Sequence, residues 1–88
     1  MTKNQILIKI KDNDMFYDNQ AIIMVDGFEE AFVGITVTNP RRIIYDYWKC
    51  LDCIIRKEDL EFDDAIDFLE EFVEKDLGEN TPLYIKQL

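Results

Sequence analysis

The chain has 88 residues, 48% hydrophobic and 33% charged, with ten basic side chains, nineteen acidic ones, no histidine and a net charge of −9. That length holds one small domain, 1–88, burying a little over ~60% of its unfolded surface, and the apolar fraction is that of a folded chain, not a disordered one. The charge argues against direct nucleic-acid binding, which needs clustered Lys and Arg to meet the phosphates. The longest apolar run, Ala21 to Val25, falls far short of the ~18 residues of a membrane span. Met1-Thr2-Lys3-Asn4-Gln5 lacks the apolar stretch and cleavage site of a secretory signal, so a cytoplasmic location is expected. Acids and bases balance up to Lys57, whereas the stretch from Glu58 to Leu88 carries the whole negative excess.

The opening residues admit two readings. Ile6, Ile8 and Ile10 alternate with Lys9 and Lys11 as in a strand, but Thr2 with Gln5 has the form of a capping box, which tips the balance to a short helix. Asp12-Asn13-Asp14 breaks either element, because these side chains compete for backbone hydrogen bonds. Residues 1–20 are thus a candidate for a loosely attached N-terminal segment. Ala21-Ile22-Ile23-Met24-Val25 reads as a short strand ended by Asp26-Gly27, and 31–38 as the next, with Gly34 marking a bulge or a close backbone approach. Asn39-Pro40-Arg41 is a tight turn and Arg42-Ile43-Ile44-Tyr45 the returning arm of a hairpin.

Asp46 is a good N-cap for a helix over about 46–57. Tyr47, Leu51, Ile54 and Glu58 share its stripe, flanked by Trp48 and Ile55, with Asp52 and Arg56 paired outside. A second helix is expected over about 62–76, with Gly78 closing it. Thr81 to Leu88, with Pro82 near its start, reads as a final strand. The sum is an α+β fold: a small, mostly antiparallel sheet of three to four strands packed against two consecutive helices.

Asp26-Gly27-Phe28-Glu29-Glu30-Ala31-Phe32-Val33-Gly34-Ile35, then Tyr45-Asp46-Tyr47-Trp48-Lys49-Cys50, then Gly78-Glu79-Asn80-Thr81-Pro82 follow one another in order. This pattern resembles a family of small, uncharacterised proteins of tailed bacteriophages, over roughly Asp26 to Leu83. The chain departs from it in a shorter hairpin turn and in its N-terminal segment. The resemblance implies viral origin and expression in the cytoplasm of an infected bacterial host. It implies no activity and carries over no catalytic residue.

The second helix holds the strongest functional signal. Phe62, Ala65, Ile66, Leu69, Phe72, Val73 and Leu77 fall on one face, with Phe68 at its edge; Asp63, Asp64, Asp67, Glu70, Glu71 and Glu74 occupy the other without one basic residue. Neighbours one turn apart repel by a few tenths of a kcal/mol each. The plain reading is a solvated face. The sharper one is a contact surface for a basic host or phage protein, the carboxylate row imitating a phosphate backbone.

Cys50 and Cys53 invite a redox or metal-dependent reading. Yet Cys50 lies a turn inside the helix behind Asp46, whose charge opposes a thiolate, and a zinc site needs four ligands where this chain has two Cys and no His. Asp26, Glu29 and Glu30 read as turn chemistry, with Phe28 and Phe32 pointing inward. Asp12 and Asp14 do not open a calcium loop, because Phe16 and Tyr17 stand where oxygen and glycine are needed. Arg41, Arg42, Tyr45 and Trp48 form a candidate second patch of interface-prone residues, set against Trp48 simply being core. The expectation is a non-enzymatic binding protein, monomer or homodimer, with no cofactor and no metal. The alternatives are the redox or metal-dependent protein using Cys50 and Cys53, and an assembly subunit that oligomerises through its sheet edge.

Overall fold

The computed structural model describes residues 2–13, 23–38 and 40–88. Helix α1 spans Lys3–Asn13. Its capping box is closed in both directions: Thr2 N donates to Gln5 Oε1 at 2.8 Å and Gln5 N to Thr2 Oγ1 at 3.2 Å. Ile6 and Ile10, one turn apart, are buried in the common core, while Ile8 faces out. Helical spacing thus decides the ambiguous opening.

A 3-10 turn over Glu29–Ala31 leads into β1 (Phe32–Ile35), which pairs antiparallel with β2 (Ile43–Asp46). The hairpin is therefore present, and between Phe32 and Gly34 it carries a bulge, with one extra residue on β1. No atom lies within 4 Å of a Cβ built on Gly34, so the irregularity there is a bulge without close backbone approach. The strand expected over 21–25 is not seen in the described part: Ile23, Met24 and Val25 are outside the sheet, and Ala21 and Ile22 lie outside the described residues. The apolar character of Met24 and Val25 serves packing against the core instead. Residue 39 of the expected turn also lies outside the described residues.

Helix α2 (Tyr47–Glu58) follows β2 directly, with Asp46 accepting from Lys49 N at 3.1 Å as its N-cap. Asp59, at φ 52°, ends it in the left-handed region that Asp tolerates better than most residues. Helix α3 (Phe62–Glu74) buries Ala65 and Leu69, with Ile66, Phe68, Phe72 and Val73 half-buried beside them. Two expected members of its apolar face are corrected: Phe62 is 55% exposed and Leu77 lies beyond the helix, also exposed. Gly78 is likewise not the helix cap, which is Lys75; its φ of 107° serves the later turn before β3.

Strand β3 (Leu83–Ile85) pairs with β2 in parallel, giving the order β1-β2-β3. The sheet is thus mixed: one antiparallel pair and one parallel pair rather than a mostly antiparallel array. Parallel neighbours need a crossover between them, and α2, α3 and the segment 75–82 supply it between β2 and β3. The overall class, a small three-stranded sheet with helices in an α+β arrangement, is as expected.

Gly27 has φ 100°, its N–H is held by the Glu29 carboxylate at 3.1 Å, and a Cβ there would stand 3.0 Å from Lys57 Nζ. Replacing Gly27 with Ala is expected to lower unfolding free energy by about 1–2 kcal/mol, mainly through the positive φ. Gly34→Ala, with open space and no positive φ, is the control and is expected to change stability by less than about 1 kcal/mol. Urea midpoints of the two variants test the contrast.

Candidate functional site

Helix α3 is amphipathic because its apolar residues recur every three or four positions, so burying them fixes where its acids point. Asp63, Asp64, Asp67, Glu71 and Glu74 are exposed. Among the described residues, no Lys or Arg forms a salt bridge with any of the six acids; the ion pairs are Lys3–Asp26, Arg56–Glu30 and Arg56–Asp52, all on other elements. Glu70 differs from its neighbours. It is half-buried and accepts a hydrogen bond from the Tyr47 hydroxyl at 3.1 Å. Burial and then the Glu70 carboxylate push the Tyr47 phenol above its ordinary pKa, so it stays a proton donor.

The second candidate patch does not assemble as one surface. Arg41 is only 7% exposed and donates from Nη1 to the Thr36 carbonyl at 3.0 Å, clamping the β1–β2 connection. Arg42 is half-buried, with Nε donating to the Glu79 carbonyl at 3.1 Å. Tyr45 is 1% exposed; its hydroxyl accepts from Val25 N at 2.9 Å, and its ring stacks on Tyr84. These three residues hold loops and the core, a role that interface composition does not separate from contact. Trp48 alone is open, 46% exposed, on the first turn of α2.

Sequence reasoning missed the surroundings of Trp48. Its ring meets Tyr47 edge-on at 5.3 Å with an interplanar angle of 87°. The Lys86 ammonium lies 4.8 Å from the Tyr47 centroid and 5.2 Å from that of Trp48. Tyr47 and Trp48 are adjacent in the sequence, but Lys86 arrives only through the parallel pairing of β3, which sets Ile85 opposite Asp46. No local pattern announces that contact.

Both cysteines are free and buried. Burial, then the Cys53 and Asp46 charges, push the Cys50 thiol up to about 12. Burial is also the main cause raising Cys53, ahead of Glu30. A nucleophilic or metal-binding cysteine requires the thiolate, and this environment disfavours it. Among the described residues no group of three or more Cys, Asp or Glu stands ready to hold a metal ion. Asp26 pairs with Lys3 at 3.0 Å, and Glu30, expected to be merely solvated, pairs with Arg56 at 2.7 Å. The Arg56 hydrogen bond, then its charge, holds the Glu30 carboxyl below its ordinary pKa.

No helix is long and apolar enough to cross a membrane among the described residues. At the sheet edges, Val33 on β1 and Leu83 and Ile85 on β3 are exposed.

The thiol environment sets the alkaline behaviour. Cys50 binds its proton more tightly folded than unfolded, so stability is fully present below about pH 9 and is lost as pH rises toward 12. Tyr45 and Tyr84, raised chiefly by burial, act in the same direction above about pH 10. Urea unfolding is expected to show a loss of roughly 2–3 kcal/mol from Cys50 alone between pH 8 and 11. A Cys50→Ala variant is expected to flatten that part of the profile, leaving the tyrosine contribution.

No protein-family model matches the chain, and no curated protein or solved structure matches it either.

Proposed function

We propose that the chain is a non-enzymatic accessory protein of a tailed bacteriophage that lays the acidic face of α3 against a basic host or viral protein. It acts in the cytoplasm of the infected bacterium. One observation carries this reading: five exposed carboxylates run along α3 with no basic side chain of the described residues paired to them. Successive turns repeat every ~5.4 Å, so the face offers a row of negative charge comparable in kind to a phosphate strand. A partner whose basic groove ordinarily holds nucleic acid fits this face best, and the chain then competes with nucleic acid for that groove. Direct binding of this chain to nucleic acid is opposed by the same charge.

The test uses a variant that removes charge without weakening the helix. Asp63 and Asp64 stay, because acids in the first turn favour the helix dipole. Glu70 stays because it receives the Tyr47 hydroxyl. The combined Asp67→Asn, Glu71→Gln, Glu74→Gln variant is expected to be as stable as the parent or slightly more so, since like-charge repulsion is relieved. In capture from infected-cell lysate it is expected to lose the partner at least ten-fold, and raised salt is expected to weaken the parent. Duplex DNA is expected to release the captured partner. Retention of the partner by the variant at both salt concentrations would overturn the proposal.

A further inference from the structure

Beside the acidic face lies a pair of aromatic walls. Tyr47 and Trp48 stand at 87° to each other with centroids 5.3 Å apart, so their faces bound a corner rather than a flat patch. The corner holds a cation already: Lys86 Nζ is within 4.8 and 5.2 Å of the two centroids, inside the ~6 Å range of a cation–π contact. The Glu70 carboxylate, bonded to the Tyr47 hydroxyl, fixes a negative charge at the rim and ties the corner to α3. Lys86 lies just past β3, is exposed, and belongs to the final residues 86–88, which have no regular structure. Trp48 keeps nearly half of its surface in solvent even with Lys86 in place.

We propose that Tyr47 and Trp48 form a cation subsite at the edge of the acidic face, filled in the free protein by Lys86 and taken over on binding by a lysine or arginine side chain of the basic partner. The inference rests on the proposed acidic-face contact and extends it from general charge attraction to one defined pocket. Lys86 acts as a tethered competitor, so an incoming cation meets a corner that is empty only part of the time. An exposed cation–π contact of ordinary strength makes that self-competition worth about three- to six-fold in affinity.

The experiment measures binding of two short labelled peptides, one of alternating lysine and glycine and one of alternating arginine and glycine, by fluorescence anisotropy. Lys86→Ala is expected to bind either peptide about three- to six-fold more tightly than the parent, and the one added negative charge acts in the same direction, so a charge control accompanies it. Lys49→Ala separates the two effects: on an exposed α2 residue, it changes charge by the same amount as Lys86→Ala and leaves the corner filled. Lys49→Ala is expected to gain less than two-fold. Trp48→Leu is expected to cancel the gain from Lys86→Ala in the double variant. The chain has one Trp, so peptide binding is also expected to shift Trp48 emission in the parent and in Lys86→Ala. Thermal melts confirm that each variant is folded, and Lys86→Gln serves as a second measurement should Lys86→Ala be destabilised. Equal gains for Lys49→Ala and Lys86→Ala, or a gain that survives Trp48→Leu, would overturn the subsite while leaving the acidic-face reading intact. Loss of peptide binding in the Asp67, Glu71 and Glu74 variant reports on that reading separately.

Discussion

The side chain on which the rest of the structure turns is Phe28. Its ring meets Tyr45 of β2 at 5.8 Å, Phe72 of α3 at 5.5 Å and Tyr84 of β3 at 6.5 Å, each edge to face, so one residue joins the sheet to the acidic helix. Such pairs contribute about 0.5–1.5 kcal/mol each beyond the area they bury. Phe28 follows directly on Gly27, which takes a positive φ, and the Tyr45 hydroxyl accepts from Val25 N just upstream. The turn, the buried phenol and the aromatic cluster are therefore one unit. Phe72, set against Phe28, joins Ala65 and Leu69 on the side of α3 that faces the core, so its carboxylates face outward as a consequence of core packing.

Four cations of the first two-thirds of the chain, Lys3, Arg41, Arg42 and Arg56, are engaged away from α3. Lys3 pairs with Asp26, and Arg56 bridges Glu30 and Asp52. Arg41 and Arg42 close the β1–β2 connection and the approach to β3, where the Asn80 amide also donates to the Arg41 carbonyl at 2.7 Å. Exposed pairs of this kind contribute little to stability individually. Their significance is one of placement: they neutralise the acids around α1, α2 and the 3-10 turn. Of the eleven acids that follow Lys57, six lie on α3, and none of those six is in an ion pair among the described residues.

Features carried by local chemistry are legible in the amino-acid sequence. Thr2 and Gln5 announce α1, Asp46 announces α2, and the spacing of Ala65, Leu69 and Phe72 announces the buried side of α3. Features that depend on distant pairing are hidden there. The direction of β3 is that of its parallel pairing with β2, which no local residue pattern encodes. Ile23, Met24 and Val25 have strand composition but lie outside the sheet, and Met24 and Val25 pack against the core without pairing. Arg41 and Tyr45 look like interface residues by type and are buried because loop carbonyls and the Val25 amide need partners. The Tyr47, Trp48 and Lys86 corner is half visible: its walls are neighbours in sequence, and its cation is not.

A face that only needed solvation had easier solutions than the one α3 presents. Acids near the helix start suit the dipole, and Asp63 and Asp64 are placed there. Glu71 and Glu74 stand near the opposite end, where that dipole favours cations, and no basic residue occupies the last turn. Asp67 and Glu71, and Glu70 and Glu74, add like-charge repulsion one turn apart. Local choices that oppose the stability of their own element concentrate at working surfaces. Glu70 marks where this surface meets the rest of the molecule: held by the Tyr47 hydroxyl, it fixes the ridge beside the exposed Trp48. Charge along α3 and an aromatic corner at its side are thus joined through a single hydrogen bond, and the proposed contact with a basic partner would engage both.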